Sequence, residues 1–198
     1  MTAHSGYRHR AARALTEVGA PAVVLVAMPL LIGLHSSAQA SHGLGWGAVA
    51  ALFFGLLPSG YVLRGVRLGR WEDHHVGTRA QRKPVFLFSL SSMLLGLAVL
   101  LVAHAPHDLV AFLVTLLAEA ALALVVTLAW KVSLHSWVST IGATALVVTY
   151  GPWALWLWPV LAAVGWSRVE LRDHTPAQVA VGALLGTALT AVILPVLR

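Results

Sequence analysis

With the exception of Arg198, every Lys and Arg of this chain lies before the first long apolar run or in one of three short gaps between later runs. The gaps span residues 64–84, 131–135 and 167–177. The runs are roughly 18–38, 46–63, 85–104, 109–130, 136–150, 152–166 and 178–197. At 59% hydrophobic and 10% charged residues, the chain has too little polar surface to cover a water-soluble domain of 198 residues. Apolar runs of about 20 residues cross a bilayer as helices, because only a helix satisfies its own backbone N–H and C=O groups in hydrocarbon. The expected architecture is an all-α, polytopic bundle of six or seven transmembrane helices. Residues 1–17 read as a cytoplasmic N-terminal segment and 18–198 as one transmembrane domain. Arg8, Arg10 and Arg13 precede the first run with no clear small-residue cleavage site, so that run reads as a retained span.

The fifth and sixth runs are short and flank Tyr150-Gly151-Pro152-Trp153, a break signal. Read as a hairpin, they return Arg168 and His174 to the side of Lys131 and His135; read as one kinked span, they do not. The hairpin is the expectation, since only it gathers one site. The N-terminus and all three basic gaps then share one side, and the excess of Lys and Arg makes that side cytoplasmic. Trp71, Trp130, Trp137 and Trp166 are expected to form one interfacial belt, and Trp46, Trp153, Trp156 and Trp158 the other. The formal charge of +6 comes without a long basic run or a recognition motif, so nucleic acid is not an expected partner. The absence of cysteine excludes disulfide and thiolate chemistry. Expected partners are membrane lipids and an anionic lipid, with a second copy of the chain left open.

Three constellations carry the chemistry. In Trp71 to Pro84, Arg79 and Arg82 are three apart and on a helical turn face one anion, while Pro84 suits the first turn of the next span. A positive-inside loop accounts for the same residues equally well. Asp73, His74 and His75 have no matching partner, so no metal and no cofactor is expected. In Lys131 to Ser136, Lys131 and His135 are four apart and share a helical face, supplying a fixed charge and a proton donor. A snorkelling Lys beside an interfacial His is the plainer account. The third constellation, Ser167 to Gln178, has the pattern Ser-Arg-x5-His in Arg168 and His174. Glu119, in the middle of the fourth run, is read first as a protonated carboxyl bonded between helices. Gly182 and Gly186 form a small-xxx-small packing pattern.

The third constellation resembles the third motif of the PAP2 (type 2 phosphatidic acid phosphatase) superfamily of lipid phosphate phosphatases. Ser133-Leu134-His135 is similar to the family's second motif, Pro-Ser-Gly-His. Arg79-x2-Arg82-Lys83-Pro84 echoes its first motif, and the likeness covers about residues 70–197. The resemblance implies a PAP2-like helical fold and a His nucleophile at His174 that forms a phosphohistidine. It implies a general acid at His135 and a phosphate ligand at Arg168; Arg79, Arg82 and Lys131 are expected from their spacing as further phosphate ligands, with Asp73 and Gln178 in support. Two departures stand out. The family places an Asp four residues after the nucleophile, where this chain has Gln178, and the Gly before the general acid is replaced by Leu134. Thr175-Pro176-Ala177-Gln178 also reads as a capping box.

The expected function is a membrane-embedded phosphatase or diphosphatase for a lipid phosphate. An isoprenoid substrate is favoured because a cytoplasmic site meets isoprenyl diphosphates made by soluble enzymes. Two alternatives share the cationic site. One is a prenyl-diphosphate cyclase or transferase; the other is a non-catalytic lipid-phosphate binder, for which Gln178 is the main support. The expected location is the cell membrane.

Overall fold

The computed structural model describes residues 3–70 and 79–198, with side chains from 6–70 and 82–198. The described residues are helical almost throughout: α1 (Ala3–Val18), α2 (Pro21–His35), α3 (Ala40–Ala51), α4 (Leu57–Arg67), α5 (Arg79–Val102), α6 (His107–Ala129), α7 (Leu134–Tyr150), α8 (Trp158–Glu170) and α9 (Pro176–Leu197). Among the described residues, four helices are long and apolar enough to cross a membrane: Ala40–Arg67, Arg82–Val102, His107–Ala129 and Pro176–Leu197. The pair Gly6–Val18 and Pro21–His35, bent by 41°, would make a fifth. These helices fit an integral membrane protein. The expected first span, 18–38, differs: its helix starts at Pro21, after a bend that leaves α1 as a separate piece. Helices α7 and α8 have 17 and 13 residues, short of the ~20 needed for a full crossing.

Burial follows the membrane pattern. Leu94, Leu95, Leu101, Val125, Leu184 and Val192 are exposed, whereas Thr16, Thr115, Glu119, Ser133, Ser167 and Arg168 are buried. Apolar side chains facing outward from helices of this length are what hydrocarbon requires, and polar groups turned inward find partners there.

The chain forms two compact units, Met1–Val24 with Val132–Val192 and Leu25–Lys131 with Ile193–Arg198. In the second unit, α3 and α4 form one long rod through a π-helical turn at Leu52–Leu56. That turn shifts the hydrogen-bond register, and Ser92 Oγ on α5 donates to the Phe53 carbonyl at 2.7 Å. Helices α5 and α6 pack as a hairpin around buried Phe54, Phe112, Leu109 and Leu113. Arg198 pairs with Asp108 at 2.7 Å.

In the first unit, α1 packs along α8 and α7 packs against α8. Helix α7 stops at Gly151, whose φ of +100° no β-carbon residue adopts readily, and a 3₁₀ turn at Pro152–Leu157 leads into α8. The backbone N–H of Ser133, before α7, donates to the Gln178 carbonyl at 3.2 Å. Gln178 lies only eight residues beyond the end of α8, so α7 and α8 run as a hairpin with their outer ends together. Trp137 departs from the expected interfacial belt. It is 1% exposed, because α7 is covered on nearly every side and carries this ring into the core of the unit.

Gly182 and Gly186 serve packing. A β-carbon at Gly182 would stand 2.6 Å from the Ser133 carbonyl oxygen, and one at Gly186 would collide with the Trp137 carbonyl. Backbone atoms of α7 cannot yield as a flexible side chain would. Gly186→Val should therefore cost about 2–3 kcal/mol of stability. Gly45→Ala, where a β-carbon meets nothing within 4 Å, should be near neutral. Thermal unfolding of both variants in one detergent checks the contrast.

Candidate functional site

The third constellation folds into a single turn between α8 and α9. Arg172 takes the left-handed conformation, φ +60°, just past the end of α8. This closes the helix in a Schellman-type turn, with Arg172 N–H donating to the Val169 carbonyl and Asp173 N–H to the Arg168 carbonyl at 3.1 Å. The His174 N–H donates to the same Arg168 carbonyl at 3.2 Å. One carbonyl thus collects two N–H groups, folding the chain back so that His174 sits beside Arg168. Both side chains are buried, at 3% exposure for Arg168 and 8% for His174.

Gln178 does both things the sequence allowed. Its N–H donates to Thr175 Oγ1 at 3.3 Å, and its side-chain Oε1 accepts from Thr175 N–H at 3.2 Å, which is the capping box that starts α9. The same Oε1 lies 3.1 Å from His174 Nδ1. Thr175 N–H can only donate, so the atom it meets is the amide oxygen, and that oxygen can only accept. Nδ1 therefore carries the proton in the neutral ring, and Nε2 keeps its lone pair. Gln178 fixes the tautomer without supplying a charge.

Arg168 is held from two sides. Its Nη2 pairs with Asp173 Oδ2 at 2.9 Å, and its Nη1 donates to Thr16 Oγ1 at 3.3 Å. Ser167 Oγ donates to the Val164 carbonyl at 2.7 Å, so the 3.0 Å contact between Thr16 and Ser167 hydroxyls runs from Thr16 to Ser167. The result is one directed chain from the guanidinium through Thr16 and Ser167 to a helix carbonyl. It holds the guanidinium of Arg168 at its tip. Helix α1 is pinned further out by Arg8, which pairs with Glu170 at 2.8 Å and lies over the Trp166 ring. Glu170 and Asp173 thus pair with arginines, and Gln178 meets the His174 imidazole at Nδ1.

His135 occupies the first turn of α7 and is 5% exposed. Ser133 caps that helix, its Oγ accepting from Ser136 N–H at 3.4 Å and lying 3.1 Å from Ser136 Oγ. Leu134 is the first helical residue, so the backbone here is tied into α7. The link from Ser133 to Gln178 brings this helix start to the end of the unit that holds Arg168 and His174.

Of the other expected site residues, Arg82 and Lys131 belong to the second unit, where Arg82 is buried and Lys131 is half-buried. Arg79 starts α5, with its side chain outside the described residues, and Asp73 lies wholly outside them with His74 and His75. Glu119, also in the second unit, is 1% exposed on α6 and shares its face with Thr115, one turn away. Among the described residues, no three His, Asp or Glu stand together as metal ligands.

Sequence reasoning missed Thr16 as part of the site and gave Ser167, which opens the third constellation, no role there. Residues 1–17 read as a charged tail, yet Ala12 and Thr16, one turn apart, are small enough to seat α1 against α8. That spacing was the available signal. Comparison of the chain with protein-family models, with curated proteins and with solved structures finds no match.

Proposed function

We propose that this chain is a membrane-embedded phosphatase or diphosphatase acting on a lipid phosphate, with an isoprenoid the favoured tail, and that its fold is PAP2-like with six or seven spans. The observation that carries the reading is the turn Arg168–Gln178. It holds two buried side chains tied by a backbone hydrogen bond from His174 N–H to the Arg168 carbonyl: the guanidinium of Arg168 and the His174 imidazole, whose Nδ1 meets an amide oxygen. His174 Nε2 would attack the terminal phosphorus while its bond to the leaving oxygen breaks, the lipid oxygen in a monophosphate or the bridging oxygen in a diphosphate. His135 would give a proton to that leaving oxygen, and Arg168 would meet the charge growing on the phosphoryl oxygens. Water would then cleave the phosphorus–nitrogen bond and release phosphate. Arg79, Arg82 and Lys131 enter this reading from sequence spacing alone, and the cytoplasmic side from the distribution of cations.

A second reading is favoured by Gln178 and by the Arg168–Asp173 pair. With an amide of Gln178 at Nδ1 of His174, and a carboxylate already on Arg168, the chain would bind lipid phosphates without turning them over.

The test is incubation of the protein in lipid nanodiscs with farnesyl and geranylgeranyl mono- and diphosphates and with phosphatidic acid. Released phosphate, diphosphate and organic products are followed together. Inorganic phosphate with the free alcohol supports the phosphatase. Free diphosphate with a cyclised or transferred prenyl product moves the assignment to terpenoid chemistry. Binding without turnover leaves the second reading.

Thr16 acts through Arg168 and is a positioning residue. Thr16→Val should raise KM about three- to tenfold with a smaller change in kcat, because the guanidinium loses one anchor. Thr16→Ser should restore KM. An equal fall in melting temperature for Val and Ser, with KM unmoved, would reduce Thr16 to a packing residue.

A further inference from the structure

A second basic cluster, sharing no residue with the turn at Arg168, is built at the end of the long α3–α4 rod. Helix α4 ends with Gly69 in the left-handed conformation, φ +69°. Gly69 N–H donates to the Val66 carbonyl at 2.9 Å and Arg70 N–H to the Gly65 carbonyl at 2.8 Å, while Leu68 N–H donates to the Arg64 carbonyl at 3.0 Å. This reversal turns the chain back on its own last turn and sets Arg70 across from Arg64. Between them lies a cleft of about 210 Å³ lined by Tyr61, Arg64, Gly65 and Arg70. Gly65 is buried and forms the floor. The Tyr61 ring is stacked on Phe88 of α5, with centroids 4.2 Å apart and planes within 9°. That stack makes a firm wall with a phenolic hydroxyl at its tip.

The arginines have no evident structural task here. Backbone N–H groups already satisfy the carbonyls of the last turn. Among the described residues, neither Arg64 nor Arg70 meets a carboxylate. The rod Ala40–Arg67 has 28 residues, about 42 Å of helix, against a hydrocarbon core of about 30 Å. Its basic end therefore reaches the headgroup layer, where two guanidinium forks around a small cleft suit a phosphate group.

We propose that the Tyr61–Arg64–Arg70 cleft binds a phosphate group, and that its source is the headgroup of an anionic membrane phospholipid. Each guanidinium would donate to the phosphoryl oxygens, and the acyl chains would lie along the apolar outer face of the span. Arg67 provides the control. It carries the same charge one turn from Arg64 and lies outside the cleft.

The test is native mass spectrometry of the full chain released from micelles, titrated with phosphatidylglycerol or phosphatidylcholine, with and without millimolar inorganic phosphate. Arg64→Gln and Arg70→Gln should each weaken phosphatidylglycerol binding about tenfold, with Arg67→Gln within about twofold of the parent. Parent-like melting temperatures would confirm that the variants fold. Selective binding of phosphatidylglycerol that free phosphate does not displace identifies the lipid. Displacement by free phosphate, or binding of it alone with the same pattern of losses, keeps the phosphate site and overturns the lipid source. Equal losses in all three variants would overturn the site and leave only a diffuse positive surface. Arg64→Lys adds a check on geometry: it keeps the charge, loses the fork, and should bind more weakly than the parent.

Discussion

His174→Ala should abolish turnover of the lipid phosphate, by about a thousandfold or more, while leaving the protein folded. The ring makes a hydrogen bond to Gln178 Oε1, whose other role, accepting from Thr175 N–H, does not depend on it. The capping box therefore survives the substitution, and the stability loss should stay near 1 kcal/mol. With phosphate-labelled substrate, the parent should acquire a protein-bound label that is stable in alkali and lost in acid, and His174→Ala should acquire none. A label that persists in His174→Ala would put the nucleophile elsewhere. Gln178 gives a graded companion. Gln178→Glu keeps the capping box and adds a carboxylate behind Nδ1, which favours the imidazolium. Attack needs the neutral ring, so the acidic limb of the pH profile should move to higher pH, and above that limb turnover should rise about tenfold. Gln178→Leu loses both the cap and control of the tautomer, and should be slower than the parent at every pH. A parent that binds without turnover, and gains turnover only as Gln178→Glu, would show that the missing charge silences the site.

The helices were legible because the apolar runs are long and the breaks are chemically loud. Gly151 after α7 and the Thr175–Gln178 box before α9 both mark boundaries that the structure keeps. The break between α7 and α8 was readable from Tyr150-Gly151-Pro152-Trp153, but the choice of a hairpin over a kinked span came from the requirement that one site be gathered. The pairing of Arg168 with His174 was expected from the resemblance that their Ser-Arg-x5-His pattern carries, but the device that joins them was not readable. It depends on Arg172 adopting a left-handed backbone, and no propensity scale assigns that conformation to arginine. Thr16 was hidden because its partners, Ser167 and Arg168, lie some 150 residues further along the chain. Trp137 was misplaced because proximity to a predicted helix end says nothing about which helix lies innermost in its unit. Local chemistry is written locally; burial depends on which helices the rest of the chain lays on top.

Arg168→Ala should lower kcat/KM by about 10²- to 10⁴-fold, the range expected when a preorganised donor to a developing charge is removed from a desolvated site. The guanidinium is 4% exposed, but its partner Asp173 is 45% exposed. Removing the arginine therefore leaves a carboxylate that water can reach and does not strand a buried charge. The stability cost should be about 1–2 kcal/mol, from lost packing and the lost bond to Thr16. Arg168→Lys keeps a positive charge yet cannot span Asp173, Thr16 and a phosphoryl oxygen with one planar fork, so it should recover only a small part of the activity. Asp173→Asn separates catalysis from architecture. In the resting protein the Asp173 carboxylate holds one edge of the guanidinium that a phosphate would need. An amide in its place holds that edge less tightly, so KM should fall and inhibition by inorganic phosphate should strengthen, each by up to about tenfold. If Asp173→Asn instead loses activity as Arg168→Ala does, the pair is a structural clasp that sets the turn, and the anion does not compete with Asp173 for Arg168.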